Sequence, residues 1–346
     1  MKQIRVLVTG AGSGVGQGII KALRLSSLPL TVISADISPL NSALFRSDEA
    51  VMLPKVEEPG SLDLIVTRIQ QSKVDVVMVG SEFDLAFFST YREEIESQTG
   101  AVVVSSPLST VQIADDKWLT AEFLRKQGLP FAQSFVPNDL EDAIAKAKLL
   151  GFPLFLKTRS GTSSRHVHLI SDKQALVALF PMVPTPMLQQ LLAYPSARLA
   201  DEYTCSIFRC RDGTLLGPFT ARRTLRGGTS WLVEVSEFKQ LHPLLLSIGR
   251  RMESMGSLNV QLMIGKEGPV PFELNARFSG TTAVRAYFGF NEPEMAIRSY
   301  YCKEDIPHPT VRKGIALRYL EEVFVDGVSA DEIAEPFPTG IVNQWF

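Results

Sequence analysis

Three polar side chains alternate along Phe272–Arg277, a stretch that otherwise has the composition of a buried β-strand. Because successive side chains of a strand point to opposite faces, Glu273, Asn275 and Arg277 are predicted to share one face. Polar groups on a buried face are costly unless a ligand engages them. Carboxylate and amide oxygens followed by an arginine suit a hard cation held together with phosphate oxygens. An edge hairpin whose polar residues face water is the alternative interpretation.

A second predicted strand, Leu258–Ile264, precedes this segment and is joined to it by a turn that ends at Gly268. Gln261 contributes to the polar face only if it pairs with Glu273. A turn with an odd number of residues, with Gly268 in the left-handed conformation, would produce that pairing. An even turn would place Gln261 opposite Phe272. We therefore expect the odd turn, because it gathers three oxygen ligands around one ion.

Two lysines are placed to meet a phosphate chain. Lys157 ends the apolar strand Phe152–Lys157 and enters a loop of small residues, Thr158–Ser164. A lysine followed by free backbone N–H groups suits a phosphate chain. Lys117 opens a helix and offers a second cation. Either lysine alone is equally consistent with a solvated surface charge, so their value lies in their order before the polar strand.

The elements that position these residues fall into two groups. Residues 1–110 alternate apolar strands with helices, which predicts a Rossmann-like parallel α/β domain. The remaining strands are predicted to form antiparallel sheets in an α+β arrangement. The predicted boundaries are 1–110 for the first domain, 111–303 for the second, with subdomains 111–188 and 189–303, and 304–346 for a C-terminal extension.

The glycine-rich turn Thr9–Gly16 lies between the first strand and the first helix, and Asp36 ends the next strand. This pattern resembles the nucleotide signature of short-chain dehydrogenases. No tyrosine in the chain is followed by lysine four positions later, so the proton-donor pair of those enzymes is missing. We expect the turn to pack the first helix on the sheet, or to face another ligand, more than to bind a dinucleotide.

Composition excludes several classes of protein. The 346 residues are 45% hydrophobic and 21% charged, which is ordinary for a soluble globular chain. The net charge of -2, with no basic block, predicts neither a nucleic-acid nor a membrane partner. The N-terminus lacks a secretory signal and no apolar run is long enough to span a bilayer, so a cytoplasmic location is expected.

The order of the motifs resembles the ATP-grasp superfamily, and within it the carbamoyl-phosphate-synthetase-like branch of carboxylate–amine ligases. The resemblance covers about residues 110 to 285. It rests on five segments: Asp116–Pro130, Phe152–Ser164, Leu188–Gln190, Asp201–Thr204 and Phe272–Gly280. An ATP-grasp fold with antiparallel sheets, behind the Rossmann-like domain, is the architecture that the resemblance implies.

The resemblance also implies roles for individual residues. ATP phosphates would be held by Lys117, Lys157, Gly161 and Ser164; adenine by Gln190; ribose by Glu202; Mg²⁺, or Mn²⁺ in its place, by Gln261, Glu273 and Asn275; and the transferred phosphoryl group by Arg277. Because Gln261 replaces a glutamate of many relatives, Glu273 is the only formal charge of the metal cluster. We therefore expect weaker Mg²⁺ binding outside the ATP complex.

The implied reaction activates a small-molecule carboxylate as an acyl phosphate and couples it to an amine, releasing ADP and phosphate. The loops at 158–166 and 224–230 are predicted to act as lids. Three arginines of the second loop region are candidates for holding substrate, with a solvated basic loop as the equal alternative: Arg222, Arg223 and Arg226. Arg226 is the one assigned a catalytic role. Arg285 and Glu82 are further candidates to face substrate.

Two other functions stay open on the sequence alone. One is phosphorylation of bicarbonate or carbamate, as in carbamoyl-phosphate synthetases. The other is a regulatory protein that binds ATP without catalysis, which the single glycine left in the phosphate loop would favour. A homodimer is expected by analogy only. The acid and the amine are not specified by any of these patterns.

Overall fold

The first sheet is parallel and belongs to the N-terminal part of the chain. A computed structural model describes residues 3–161, 166–192, 199 and 202–341. The strands of the first sheet are β1 (Ile4–Val8), β2 (Leu30–Asp36), β3 (Glu49–Met52), β4 (Val76–Met78) and β5 (Val102–Val104). All neighbours pair in parallel, in the order β3-β2-β1-β4-β5. This confirms the predicted parallel α/β domain.

Helices surround this sheet, as parallel strands with crossover connections require. They are α1 (Gly14–Arg24), α2 (Ser42–Arg46), α3 (Ser61–Gln71), α4 (Glu82–Thr90) and α5 (Arg92–Thr99). Leu7, Ile33 and Val77 of the central strands are fully buried between these layers. α4 and α5 are separate helices, because the backbone leaves helical geometry at Tyr91.

The second sheet is antiparallel and small. Its strands are β6 (Ser134–Phe135), β7 (Leu154–Thr158), β8 (Val167–Ile170) and β9 (Pro186–Gln190), in the order β6-β9-β7-β8. The helices of this part are α6 (Leu108–Asp115), α7 (Lys117–Lys126), α8 (Leu140–Leu150) and α9 (Lys173–Leu179). Ala147 of α8 and Leu176 of α9 are buried with Leu156 of the sheet in one apolar cluster.

The third sheet has seven strands and carries the polar segment. They are β10 (Glu202–Arg209), β11 (Leu215–Phe219), β12 (Ala221–Arg226), β13 (Thr229–Val235), β14 (Gly256–Gly265), β15 (Gly268–Asn275) and β16 (Gly314–Leu317). Their order is β15-β14-β10-β12-β13-β16, with β11 also on β10. The helices are α10 (His242–Arg251), α11 (Thr282–Tyr287) and α12 (Glu292–Ala296). The predicted antiparallel sheets are confirmed.

One expectation about the β12–β13 segment was wrong. The loop predicted at 224–230 is largely the hairpin formed by β12 and β13. Its turn is Gly227-Gly228, where both residues have positive φ, 55° and 74°, as a two-residue hairpin turn requires. β11 and β12 are separate strands that both pair with β10.

The β14–β15 hairpin confirms the expected pairing of Gln261 with Glu273, but by a different route. The turn has two residues, 266 and 267, so the predicted odd turn was wrong. A β-bulge restores the register, because Leu262 pairs with Pro271 and Phe272 is the extra residue between the two pairs. Gly268 does have the expected positive φ, 125°.

The N-terminal domain and the large sheet share one apolar core. Val8 and Ile19 of the first domain belong to the same cluster as Phe219 and Phe290 of the second. The shared core holds the two parts together around the space between them. Throughout the part of the chain that the structure describes, no helix combines the length and apolar character needed to cross a bilayer.

Candidate active site

A cavity of about 780 Å³ lies where the N-terminal domain, the small sheet and the large sheet meet. Its volume is in the range of sites for small molecules and cofactors. Nine of the residues to which the resemblance gives a role line it: Lys117, Lys157, Gly161, Gln190, Glu202, Gln261, Glu273, Asn275 and Arg277. Two of the candidates to face substrate, Arg223 and Glu82, line it as well. Ser164 lies outside the described residues. The structure thus brings motifs that are up to 160 positions apart in sequence to one cavity.

The N-terminal domain supplies one wall of this cavity. Ser13 and Gly14 follow β1, and residues 80–83 follow β4. Both segments lie at the carboxyl ends of parallel strands, where open α/β sheets present their loops to ligands. The first domain is therefore part of the site and not only its support.

A continuous series of hydrogen bonds connects the polar residues of β10, β12, β14 and β15. Arg223 donates to Glu202 Oε1 at 2.6 Å and to Gln261 Oε1 at 2.8 Å. Gln261 Nε2 and Asn275 Nδ2 both donate to Glu273 Oε1, at 3.2 and 3.1 Å. These side chains share one face of the sheet, while Leu274 on the opposite face is fully buried.

The three predicted metal ligands already have partners inside this series. Gln261 Oε1 accepts from Arg223, and Asn275 Oδ1 accepts from Arg277 at 3.0 Å. Glu273 Oε2 accepts no hydrogen bond from any described residue. One carboxylate and two amides form an all-oxygen donor set that fits a hard cation such as Mg²⁺ or Mn²⁺. Guanidinium groups therefore hold the amide oxygens that the ion would need.

Arg277 connects the metal strand with the N-terminal domain. Its guanidinium forms an ion pair with Glu82, the first residue of α4, and donates to the Phe278 carbonyl at 2.7 Å. Burial lowers the pKa of Arg277 to about 10, so the side chain stays charged at neutral pH. Glu82 had only been a candidate by its position after β4. Here it fixes the predicted phosphoryl-binding arginine at the domain boundary.

Lys157 is the most deeply buried cation of the site, with 6% of its surface exposed. Its Nζ donates to Gln189 Oε1 at 2.7 Å, and Gln189 Nε2 donates to Ser134 Oγ at 3.0 Å. Burial lowers the pKa of Lys157 to about 7, and the positive charge of Lys117 adds to the effect. Lys157 is therefore partly neutral at neutral pH, and a bound phosphate chain would favour its protonated form.

A short clamp positions Lys117 against the start of the phosphate loop. Asp116 caps α7 by accepting from the Trp118 N–H at 2.8 Å, and pairs with Arg159 at 2.5 Å. The Lys117 N–H donates to the Arg159 carbonyl at 2.9 Å. Lys117 Nζ donates to the Gly161 carbonyl at 3.1 Å. The two lysine segments are therefore tied together before the loop continues beyond the described residues.

An apolar slot lies beside Gln190 in the same cavity. Val167 and Leu169 of β8 are 38% and 42% exposed, and both face the cavity together with Phe155. Exposed aliphatic side chains on a cavity wall suit a flat apolar ligand such as a purine ring. Gln190 supplies a side-chain amide at the edge of this slot, and its backbone N–H donates to the Gln133 carbonyl at 2.9 Å.

Three arginine candidates lie elsewhere. Arg226 is exposed and stacks on Trp231, 4.8 Å from the ring centroid. It lies beyond the register shift that follows Thr224 and does not line the cavity. Arg222 pairs with Glu234 at 2.7 Å. The expectation that Arg285 faces substrate was wrong. It is fully buried and paired with Glu292, at 3.2 Å, and does not line the cavity.

Sequence reasoning missed several residues of the site. Gln189 is the partner of Lys157, and Asn259 lines the cavity two positions before Gln261 on the same strand face. The period-two spacing of Asn259 and Gln261 was a usable signal. Arg318, from the C-terminal segment, also lines the cavity. Nothing local marks Arg318, because its position depends on β16 pairing with β13.

The glycine-rich turn is closely packed by its own neighbours. A Cβ on Gly16 would lie 2.4 Å from the Gly10 carbonyl oxygen, and one on Gly12 would overlap Asn41. Asp36, the residue expected to meet a ribose in a dehydrogenase, accepts from the Gly12 N–H at 2.8 Å. The turn thus packs α1 on the sheet, while its far side, at Ser13 and Gly14, faces the cavity.

Comparison with known proteins agrees with this architecture. A family model described as the PylC-like N-terminal domain matches residues 6–104. The arginine-specific large chain of carbamoyl phosphate synthase from Eremothecium gossypii is 23% identical over 349 residues, covering 90% of this chain and 30% of that protein. The carbamoyl phosphate synthase large chain of Pyrococcus furiosus is 20% identical over 286 residues, covering 78% and 26%. The chain spans less than a third of these relatives.

Solved structures match over nearly the whole chain. N5-carboxyaminoimidazole synthetase from Staphylococcus aureus, complexed with ADP, has a TM-score of 0.72 at 14% identity, covering 92% of this chain and 82% of that one. The biotin carboxylase domain of 2-oxoglutarate carboxylase from Hydrogenobacter thermophilus, solved with MgADP and bicarbonate, has a TM-score of 0.71 at 15% identity. It covers 90% of this chain and 73% of that one. These likenesses establish the fold.

Proposed function

We propose that the chain, which shares the fold of ATP-grasp proteins, is an ADP-forming carboxylate–amine ligase of their carbamoyl-phosphate-synthetase-like branch. One observation carries the proposal. The predicted residues for adenine, ribose, phosphates and metal meet in a single cavity, where hydrogen bonds connect Glu202 through Arg223 and Gln261 to Glu273. A protein that only packed these side chains for stability would not need them around an open space of ligand size.

The nucleotide is proposed to lie across the three sheets. Gln190 and the apolar slot would take adenine, and Glu202 would accept from the ribose hydroxyls. Lys117 and Lys157 would hold the phosphates together with the backbone at Gly161. Burial strengthens each charged contact, because water competes less inside the cavity. The roles of Ser164 and Arg226 stay predictions from the resemblance, since neither is placed at the cavity.

Gln261, Glu273 and Asn275 would hold Mg²⁺, or Mn²⁺. The bound ion supplies charge neutralisation for the phosphates of ATP. We propose that Arg223 and Arg277 release the amide oxygens that they hold in this structure, because two guanidinium charges beside the ion would repel it. Arg223 and Arg277 would stay paired with Glu202 and Glu82 when they release the amide oxygens. Neither guanidinium charge would therefore be left uncompensated.

The chemistry needs no protein nucleophile. An oxygen of the substrate carboxylate attacks the γ-phosphorus, the bond to the bridging oxygen breaks, and ADP leaves. The amine nitrogen then attacks the acyl carbon, phosphate leaves with the bonding electrons, and the amine loses a proton. Arg277 is proposed to stabilise charge on the phosphoryl oxygens in both steps. The tip of the β12–β13 hairpin is proposed to exclude water from the acyl phosphate.

A second candidate has specific support in the relatives. The curated matches are carbamoyl phosphate synthases, and one structural match was solved with bicarbonate. Phosphorylation of bicarbonate or a carbamate would use the same cavity and the same first step.

The test measures ADP release by the full chain with MgATP and a panel of acids and amines. Glu273→Gln removes the only carboxylate of the metal set. Glu267→Gln, in the exposed turn of the same hairpin, is the matched control. ADP release that requires both an acid and an amine, and that only Glu273→Gln abolishes, supports a ligase. Release with bicarbonate and ammonia alone supports the second candidate, and tight ATP binding without turnover under any pair contradicts both.

We also propose that the protein works in the cytoplasm on small molecules, as a homodimer. The support for the dimer is analogy, since the Hydrogenobacter domain was solved as a dimer. Light scattering coupled to size-exclusion chromatography measures the mass directly. A mass of about one chain, 38.2 kDa, at micromolar concentration would contradict the dimer.

A further inference from the structure

Arg318 belongs to the C-terminal segment that the sequence left without a role. Its backbone N–H donates to the Trp231 carbonyl at 2.9 Å, which continues the β13–β16 pairing. Its side chain then turns to the cavity and donates to two carbonyls, from Nε to Ser230 at 3.0 Å and from Nη2 to Gly280 at 2.9 Å. These bonds fix the guanidinium at the cavity wall.

The charge on Arg318 has no counter-ion among the residues that the structure describes. The other two arginines of the cavity wall, Arg223 and Arg277, form ion pairs with Glu202 and Glu82. Among the described residues, no carboxylate lies within ion-pair distance of Arg318. Glu321, three positions later, pairs with Arg46 at 3.1 Å. A partly buried guanidinium with only neutral partners is poorly compensated, and an anionic ligand would compensate it.

Space for such a ligand is present beside Arg318. Gly280 and Gly14 both line the cavity, and a Cβ added to either would meet no atom within 4 Å. No described residue accepts a hydrogen bond from Arg318 Nη1, so this nitrogen is available. Gly280 lies three residues after Arg277, which limits the two Cα atoms to about 10 Å apart. A small molecule can therefore reach from Arg277 to Arg318.

We propose that Arg318 is a specificity-determining residue that binds an anionic group of the acid substrate other than the carboxylate that is phosphorylated. This inference rests on the proposed ligase function and narrows its substrate class. The acid would be one that carries a second anion, either a carboxylate or a phosphate, and the C-terminal segment would complete the site by supplying the cation that reads it.

The test measures binding to the full chain saturated with MgADP by isothermal titration calorimetry. The probes are butyrate, with one carboxylate, glutarate, with two, and 3-phosphoglycerate, with a carboxylate and a phosphate. We expect glutarate or 3-phosphoglycerate to bind at least about tenfold more tightly than butyrate, as a charge-assisted hydrogen bond provides. The probe that is preferred identifies the second anion.

Arg318→Gln should abolish this preference, and Arg318→Lys should keep part of it. Arg312→Gln is the matched control, because Arg312 lies in the same segment, donates to the Tyr287 carbonyl and does not line the cavity. Equal binding of all probes by the wild type, or an unchanged preference in Arg318→Gln, overturns the inference. Failure of the wild type to bind MgADP refutes the proposed function instead, and each variant's MgADP affinity reports that its fold is intact.

Discussion

Lys157 predicts an unusual pH dependence of nucleotide binding. Its pKa is lowered to about 7 in the free protein, while phosphates bind only the ammonium form well. The protonated fraction is then about one half at pH 7, about one tenth at pH 8 and about one hundredth at pH 9. Because only the competent fraction binds, the apparent Kd for MgADP should rise about fivefold from pH 7 to 8 and about fiftyfold by pH 9.

Calorimetry at several pH values, in buffers of different ionisation enthalpy, measures both the Kd and the proton uptake. At pH 8 each bound nucleotide should take up about 0.9 proton. Lys157→Arg should flatten the profile, because a guanidinium stays charged throughout. Lys148→Arg, on the exposed side of α8, should leave it unchanged. Since the nucleotide is the same in every titration, its own ionisation cancels between variants.

The same pKa shift has a defined sign for stability. The value in the folded state lies below the ordinary 10.5, so the unfolded chain binds more protons between pH 7 and 10.5. The contribution of Lys157 to stability therefore rises with pH through that window, and its destabilising effect is fully present below about pH 7. For nucleotide binding, an affinity of the wild type that does not change from pH 7 to 9 would contradict the proposed dependence on the protonation of Lys157.

Three further predictions concern the polar series and the buried ion pairs. Arg223→Gln removes the cation that holds Gln261 Oε1, so the protein should bind Mn²⁺ several-fold more tightly in the absence of nucleotide. Electron paramagnetic resonance measures this binding. Weaker binding would contradict the proposal that Arg223 releases Gln261 to the metal. Glu82→Gln should lower the free energy of unfolding in urea by about 2 kcal/mol, because Arg277 loses its carboxylate partner. The control Glu93→Gln, at an exposed position, should change it by less than about 0.5 kcal/mol. Equal effects of the two substitutions would contradict this prediction. Arg285→Met should lower the free energy of unfolding by about 3–5 kcal/mol in the same assay, since it leaves Glu292 buried without its cationic partner. Removing both charges should recover part of that loss. A small change in the single variant would contradict this prediction.

Local patterns predicted the elements well where packing followed them. The strands predicted at 152–157 and 258–264 form as β7 and β14, with ends shifted by one or two residues, because apolar alternation and terminal glycines act within a few residues. The polar face of β15 followed from the two-residue period alone. The pairing of Gln261 with Glu273 was also expected, but the bulge at Phe272 that produces it depends on the sheet and has no local signature.

The parts that were missed are set by contacts between distant segments. Glu82 and Arg277 are 195 positions apart, and Arg318 reaches the cavity only because β16 completes the large sheet. The hairpin at 224–230 was taken for a loop because its glycine pair and polar residues are typical of both. Arg285 was expected near substrate because it follows the motif, whereas it is buried in an ion pair with Glu292.

The central claim is that one metal ion binds at Gln261, Glu273 and Asn275 together with the nucleotide. The most direct measurement is a crystal structure with MnADP, in which anomalous scattering locates the ion. We expect an anomalous peak within coordinating distance of those three side-chain oxygens, with Arg223 and Arg277 released from the amides. A peak elsewhere, or bound nucleotide with both arginines still on Gln261 and Asn275, would contradict it.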